Sequence, residues 1–443
     1  MTKVITYGTF DMLHSGHINL LKRAKELGDY LIVGVTGEDY DKQRGKLNVA
    51  ESLHKRIKNI EETGLADEII VEEYYGQKLI DIQSKNVDIF AIGSDWVDKF
   101  NYLKEYCRVI YLPRTKGVSS TKIRNKKNFI KIGIIGTGNI ASRFVKESKF
   151  VSNVEISCVY SRTLHRAKLF GQKHEIQKST NNLDTFIQNV DAVYIATIHE
   201  LHYMFAKKML NASKHVLCEK PLTLNIDQCK ELWQLAEEKH LTFLEGIKTA
   251  FCEGFIKMVS FAKSGVIGDI MHLDCSFTKL IEDKSRREFM KNGGAHNELM
   301  SYMLLAAAKI LGKNVKKYKN LRFYKNSQVD IFSSLNLEYA NSIANLYCGI
   351  GAKKQGDLII SGTKGFIVCK APWWKTKNIQ IKFEDSSKDF ELNFDFQGDG
   401  LRYEISEFAN CISNKKTHSF KLNNKDSIFI NSYINCNYSK IDV

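Results

Sequence analysis

Three short stretches of this 443-residue chain carry groups able to do chemistry at a phosphate or a carbonyl. The first is Gly8-Thr9-Phe10-Asp11-Met12-Leu13-His14-Ser15-Gly16-His17, between an apolar run and a helical pattern. A strand end feeding a helix N-terminus offers free backbone N–H groups and the positive end of the helix dipole. Two imidazoles there, His14 and His17, can hydrogen-bond phosphate oxygens as charge develops, and Gly16 lets the backbone come close. The second stretch, Arg114-Thr115-Lys116-Gly117-Val118-Ser119-Ser120-Thr121, is a loop of hydroxyls and cations opening a short helix, again suited to phosphate. The third is Gly136-Thr137-Gly138-Asn139-Ile140-Ala141, where Gly136 would make a tight turn, Gly138 would admit a pyrophosphate and Ala141 would allow close helix packing. The strand after it ends Tyr160-Ser161-Arg162, where an NAD site usually has an acid on the ribose diol. A hydroxyl and a guanidinium, with Arg166 as a second cation, suit a 2′-phosphate and favour NADP over NAD; the alternative for Arg162 is a solvated loop cation.

The elements that must hold these groups are readable from apolar patterning. Runs at Val4–Tyr7, Tyr30–Val35, Glu68–Val71, Asp88–Ile92 and Arg108–Leu112 read as buried parallel strands, and Ile18, Leu20, Leu21, Ala24 and Leu27 fall at helical spacing between them. Residues 1–125 therefore read as a small doubly wound α/β domain. The pattern restarts at Phe129 (FIKIGIIGTGNIASRF), with strands at Ile132–Ile135, Ile156–Tyr160, Ala192–Ala196 and His215–Cys218, giving a Rossmann domain over 129–250. Beyond residue 268, longer strand-like segments imply a mostly antiparallel open sheet closed by a helix near Tyr403–Ile412, an α+β domain over 251–443.

The first domain resembles the glycerol-3-phosphate cytidylyltransferases over YGTFDMLHSGH, the stretch near Lys46 and Arg56, GSDW at Gly93–Trp96, and LPRTKGVSSTKI. The resemblance implies a Rossmann-like nucleotidyltransferase fold. CTP would be surrounded by Thr9, Phe10, His14, Gly16 and His17, completed by Lys46, Asp95 and the loop residues Arg114, Thr115, Gly117, Ser119, Ser120 and Thr121. Arg44 and Lys78 would lie towards a polyol phosphate. His14, His17, Lys46 and Arg114 are the implied catalytic set, with Mg²⁺ entering on CTP. The family commonly has Lys at position 44 and Thr at position 120, swaps that put the acceptor in question more than the reaction.

Residues 129–443 resemble the Gfo/Idh/MocA oxidoreductases through GTGNIA, KHVLCEKPL, LEGIKTAF, SGVIGDI, GGAHNELMSY, the APWW turn and RYEISEF. The resemblance implies a cofactor site of Gly136, Gly138, Asn139, Ile140, Ser161, Arg162, Arg166, Thr197, His202, Glu219 and Lys220. Lys220 would stand beside the nicotinamide, followed by a proline that is often cis. Tyr302 would be the proton donor, its pKa lowered by Lys220; its alternative is an aromatic packed under the sheet. Glu298 replaces a family Asp and could orient a substrate hydroxyl. His296 is either a substrate-reading donor or a surface histidine. Together the halves imply NADP-linked reduction of a small carbonyl phosphate to a polyol phosphate, then its activation as a CDP-polyol for a cell-surface polymer such as teichoic acid or capsule. The alternative is a cytidylyltransferase with a catalytically silent, regulatory or oligomerising second half.

Composition narrows the remaining classes. The net charge of +15 is spread: 21 basic against 18 acidic residues up to residue 127, and 44 against 32 beyond it. Without a dense basic run this argues for anionic small substrates, not nucleic acid. Ten cysteines lie outside any metal spacing and no apolar run spans a bilayer, so no metal site and a cytoplasmic setting are expected, while the two resemblances, to families that commonly self-associate, imply a homo-oligomer. Only three prolines occur, Pro113, Pro221 and Pro372, and two of them flank the proposed sites.

Overall fold

The computed structural model describes residues 1–43, 45–74, 76–113, 129–282, 287–325 and 328–442, and the structural statements below concern these residues. They form two compact units, one of Met1–Phe129 with Lys149–Val154 and one of Ile130–Ser148 with Glu155–Val443.

In the first unit, strands β1 (Lys3–Gly8), β2 (Tyr30–Thr36), β3 (Glu68–Glu72), β4 (Ile89–Gly93) and β5 (Arg108–Leu112) form a parallel sheet in the order β3-β2-β1-β4-β5. Successive side chains point to opposite faces, so each strand feeds two cores. Val4, Leu31, Val33 and Leu21 pack on one side; Ile5, Tyr7, Ile32 and Phe90 pack on the other. Both faces are therefore buried, which is why the strands read as continuous apolar runs. The helix Ser15–Lys25 starts on His14 as N-cap, and Lys22, Arg23 and Lys25 in its last turn complement the negative end of its dipole. The strand order reverses between β1 and β4, leaving a crevice at their carboxyl ends.

The second unit opens with strands β6 (Ile130–Ile135), β7 (Val154–Tyr160), β8 (Lys178–Thr180), β9 (Ala192–Ile195), β10 (His215–Glu219) and β11 (Phe243–Gly246), ordered β11-β10-β9-β6-β7-β8. This is the doubly wound dinucleotide topology, with its switch point between β6 and β9. Strands β12 (Ile270–Thr278), β13 (Lys317–Tyr324), β14 (Phe332–Glu338), β15 (Ile343–Gly349), β16 (Leu358–Gly362), β17 (Gly365–Cys369), β18 (Asn378–Phe383), β19 (Phe390–Asn393) and β20 (Ser439–Asp442) follow. They form one sheet ordered β19-β18-β17-β16-β12-β15-β14-β13-β20. It is mostly antiparallel, with parallel pairings at β12–β15 and β13–β20.

The helix Gly294–Ile310 contacts strands β12, β14 and β15 of this sheet and is buried almost all round. The helix Leu401–Ser413 lies where the sequence places it. The helix Asn424–Ile434 and strand β20 are additional elements that the patterning does not announce. No helix among the described residues is long and apolar enough to cross a membrane.

Candidate active sites

At the β1–β4 crevice the chain turns sharply, with Phe10 and Met12 both at positive φ (51° and 50°). Phe10 is buried and sets the edge of its ring against His17, centroids 5.5 Å apart. His14 folds over the helix start: its Nδ1 accepts from the backbone N–H of Gly16 (3.1 Å) and His17 (3.4 Å). That assignment puts the proton of the neutral ring on Nε2, as a donor. The two imidazoles stack at 3.7 Å between centroids and 19° between planes. A Cβ on Gly16 would come within 2.9 Å of His14 Cε1, so glycine is what allows the ring to lie there.

The floor is braced by Arg56, which is fully buried. Its Nη1 donates to the carbonyls of Thr9 and Thr36, both at 2.8 Å, and lies 3.5 Å from Asp41 Oδ2; its Nε donates to the Glu51 carbonyl. Thr9 Oγ1 donates to Asp41 Oδ1 at 2.8 Å. Asp95 is exposed in the single turn Ser94–Trp96 that follows β4. Lys46 follows Gly45, its backbone N–H donating to the Asp41 carbonyl. Lys78 is drawn inward: it is buried, paired with Glu72, and its ammonium sits 4.5 Å from the centre of the Tyr7 ring. Its charge is thus already offset, contrary to a simple phosphate-facing cation. Arg44 and the loop residues Arg114, Thr115, Gly117, Ser119, Ser120 and Thr121 lie outside the described residues.

In the second unit a cavity of about 1530 Å³ runs from the β6–β9 switch point to the large sheet. Gly136, at φ 116°, has no room for a Cβ, which would lie 2.2 Å from the Ala196 carbonyl; a Cβ on Gly138 would meet nothing within 4 Å. Ala141 is fully buried against the sheet. The backbone thus packs tightly at one glycine and opens to the cavity at the next, at the start of the helix Asn139–Ser148, where Asn139 and Ile140 also line the wall. Ser161, Arg162 and Arg166 line the same wall, both arginines exposed. These groups fit a dinucleotide whose pyrophosphate meets the helix start.

At the other end, Thr197, His202, Glu219, Lys220, Glu298 and Tyr302 share the cavity. The Lys220–Pro221 bond is cis. Lys220 Nζ donates to the Glu298 carbonyl (2.8 Å) and lies 3.7 Å from its carboxylate. The other carboxylate oxygen is 3.4 Å from His199 Nε2, while His199 Nδ1 is 3.1 Å from the Asn292 carbonyl. His199, the first residue of the helix His199–Asn211, is a member of the site that no motif in the sequence singles out. His202 places its ring nitrogens at 2.9 Å from the Pro221 carbonyl and 3.4 Å from the Thr197 carbonyl, bracing the two loops that carry the site. Glu245 does the same from below: it accepts from the Leu222 N–H (3.1 Å), Ser427 and Asn431, and burial pushes its carboxyl up to about 7.

Two expectations are corrected by this geometry. His296 is neither a substrate-reading donor nor a surface histidine. It is fully buried, with Nδ1 2.9 Å from Ser333 Oγ, Nε2 3.1 Å from the Tyr433 carbonyl and its N–H on Asp330, and burial holds its pKa well below the usual histidine value. The Tyr302 phenol is not lowered by Lys220: burial raises it, and the carboxylates of Glu219, Glu404 and Glu298 raise it further. Lys220 is turned to Glu298 instead. The Tyr302 ring packs beside Phe277, centroids 5.2 Å apart, and Phe277 stacks on Trp374 at 3.6 Å.

Fold and sites together define a chain of two nucleotide-handling enzymes, a nucleotidyltransferase and an oxidoreductase using a nicotinamide dinucleotide. Family models match in three places: cytidylyltransferase-like (residues 5–126), oxidoreductase family, NAD-binding Rossmann fold (130–247), and GFO/IDH/MocA C-terminal domain (255–368). The glycerol-3-phosphate cytidylyltransferase of Bacillus spizizenii is 51% identical over 124 residues, 28% of this chain and 95% of that protein. The trans-1,2-dihydrobenzene-1,2-diol dehydrogenase of Bos taurus is 28% identical over 297 residues, 64% of this chain and 88% of that one. In fold, the second unit is similar to KijD10, a 3-ketoreductase from Actinomadura kijaniata solved with NADP and TDP-benzene (TM-score 0.65, 22% identity, 71% of this chain and all of that one). The chain belongs to the cytidylyltransferases through its first unit and to the GFO/IDH/MocA oxidoreductases through its second.

Proposed function

We propose that the chain makes a CDP-polyol in two steps: NADP-linked reduction of a small carbonyl phosphate to a polyol phosphate, then cytidylyl transfer from CTP with release of pyrophosphate. The observation that carries this reading is that one chain holds both sites, each at the carboxyl ends of a doubly wound sheet. In the transferase, His14 and His17 would hold oxygens of the α-phosphate while a polyol-phosphate oxygen attacks in line. Catalysis there is positioning and electrostatics, with no covalent nucleophile. Mg²⁺ on the triphosphate would offset the charge of the leaving pyrophosphate. A glycerol-3-phosphate-like acceptor, and a product destined for teichoic acid or capsule, are suggested by the Bacillus relative.

In the oxidoreductase the bound dinucleotide supplies or accepts hydride. Gly136, Gly138, Asn139 and Ile140 would seat its pyrophosphate, Ser161, Arg162 and Arg166 its 2′-phosphate, and Thr197, Glu219 and Lys220 the nicotinamide end. NADP is favoured because two arginines stand on that wall, and KijD10 was solved with NADP. Tyr302 would give the proton to the substrate oxygen. Glu298, held between His199 and Lys220, would orient a substrate hydroxyl. Residues 251–443 would serve as the substrate half and, through their sheet, as the contact of a homo-oligomer. The ten cysteines are all unpaired, in keeping with the reducing cytoplasm that supplies CTP and NADPH.

The test is one incubation of the full chain with CTP, Mg²⁺, NADPH and a panel of three- to six-carbon keto- and aldo-phosphates. A CDP-polyol by mass, formed only when both nucleotides are present, is expected. CDP-polyol from a supplied polyol phosphate, with NADPH never consumed, would reduce the second half to a binding or regulatory role.

A further inference from the structure

Lys248 stands at the substrate end of the cavity, on the turn that follows β11. Its place is set from both sides. Gly246 pairs with Glu219 in the sheet, so the turn leaves β11 beside the Lys220–Pro221 loop. Thr249 Oγ1 donates to the Trp374 carbonyl at 2.9 Å, which ties the turn to the Phe277–Trp374 stack. Ile247 and Thr249 are fully buried, and half-buried Lys248 between them lines the cavity. The neighbouring lysines of the cavity are engaged: Lys220 is 3.7 Å from Glu298, Lys279 3.7 Å from Glu288 and Lys375 3.7 Å from Asp399, and Lys353 donates to the Thr278 carbonyl at 3.2 Å. Arg162, Arg166 and Lys173, towards the dinucleotide end, are exposed to solvent. Lys248 has neither a hydrogen bond nor an ion pair among the described residues. Glu404 is buried on the helix Leu401–Ser413, which packs on this turn, but its oxygens have no hydrogen-bond partner there either. A charge drawn so far from water and left unpaired is unfavourable until a ligand completes it. Burial holds the Lys248 pKa below the usual lysine value, and an anion alongside would offset that.

We propose that Lys248 holds the phosphate of the carbonyl substrate and thereby sets the preference of the oxidoreductase for phosphorylated over neutral carbonyls. The proposal rests on the reading of the second unit as a dinucleotide-dependent carbonyl reductase. Tyr302 lines the same end of the cavity, its ring packs beside Phe277, and Trp374, which stacks on Phe277, is the residue bonded to the Lys248 turn. Carbonyl and phosphate would thus meet opposite ends of one short aromatic wall, the reacting carbon at Tyr302 and Lys220 and the anion at Lys248. Lys375, one residue past the Thr249–Trp374 joint, also lines the cavity and adds a second positive charge on that side. A phosphate monoester carries nearly two negative charges at neutral pH and three strong acceptor oxygens, so an ammonium in this partly desolvated pocket gives it charge-assisted hydrogen bonds. A neutral carbonyl leaves Lys248 unpaired, and a site built to pair a polar group selects against a ligand that lacks the partner. A purely structural lysine, countering the buried acid on the neighbouring helix, would affect both kinds of carbonyl alike.

The test runs the panel of carbonyl phosphates beside their unphosphorylated counterparts, following NADPH oxidation by the full chain. In the parent, kcat/KM should favour the phosphorylated member of each pair. In Lys248→Met that preference should fall about 10- to 100-fold, most of it in KM. Lys248→Arg, which restores the charge, should recover part of it. NADPH affinity, read by fluorescence, should stay within about threefold in both variants, which shows that they fold. A second measurement needs no turnover. Inorganic phosphate, titrated calorimetrically into the NADPH complex with CTP filling the first unit, should bind the parent about tenfold or more tightly than Lys248→Met. No preference for phosphorylated carbonyls in the parent, an unchanged preference in Lys248→Met, an equal loss with both kinds of carbonyl, or equal phosphate affinity in parent and variant overturns the assignment. NADPH consumption with no member of the panel overturns the reductase reading instead, and the phosphate titration then still decides whether Lys248 is an anion site.

Discussion

Replacing Gly16 by alanine should separate stability from catalysis in the first unit. The new Cβ would stand 2.9 Å from Cε1 and 3.0 Å from Nδ1 of His14, where ordinary contact begins at 3.4 Å. The imidazole must therefore retreat by about half an ångström, since the Cβ is fixed to the helix. Its two bonds from Gly16 and His17, now 3.1 and 3.4 Å, would then stretch beyond hydrogen-bonding range. Losing that cap costs about 1 kcal/mol, but alanine in a helix gains about 1 kcal/mol over glycine. The two nearly cancel, so the thermal midpoint should move by only a few degrees. The donor at His14 Nε2 has moved, however, and since a 1 Å misplacement costs about 10²-fold in rate, half of that should cost about 10-fold. The assay is pyrophosphate release from CTP with glycerol 3-phosphate, with NADPH binding as an internal control that should not change. Activity within about threefold of the parent would refute the reasoning, because the ring would then have no positional role. Equal loss of NADPH binding would also refute it, by showing a global effect.

The proposed preference for NADP gives a second prediction: Arg162→Ser with Arg166→Ser should weaken NADPH about 10- to 100-fold, the worth of one or two charge-assisted contacts, while NADH changes little. Fluorescence titration of both dinucleotides checks it. A third concerns pH. The Glu245 carboxyl is raised from its ordinary value to about 7, so the folded form holds its proton more tightly than the unfolded chain. The stability it contributes is full below its unfolded pKa and is lost as pH rises through about 7, a difference of about 3 kcal/mol. Glu245→Gln should flatten that part of the profile in denaturant titrations between pH 5 and 8.

Much of this was legible because it is local. The strand–glycine–helix units, the His14–His17 pair and the Gly136–Ala141 turn each depend on residues a few positions apart, where periodicity and turn chemistry speak directly. What escaped depends on long-range burial. The helix Gly294–Ile310 is apolar nearly all round, so it shows no stripe to tell an inward His296 from an outward one. The resemblance sets Lys78 towards a polyol phosphate, but no local pattern shows that Glu72 and the Tyr7 ring, brought together by the fold, enclose it. His199 gains its meaning from Glu298, 99 residues later in the chain. Glu404 did leave a signal: with Leu401, Ile405, Phe408 and Cys411 it falls on the buried stripe of its helix, an acid where the pattern asks for an apolar residue.

The bracing of the Lys220 loop has a bearing on how the protein matures on the ribosome. Glu245 finds Ser427 and Asn431 only across gaps of 182 and 186 residues. While that long stretch is being translated, Glu245 has the Leu222 N–H but neither of its two side-chain partners, whereas everything described in the first unit has already left the exit tunnel. Nascent chains would complete the cytidylyltransferase unit well before the oxidoreductase site. A message truncated anywhere between codons 250 and 420 would then yield a transferase carrying an unfinished, aggregation-prone passenger.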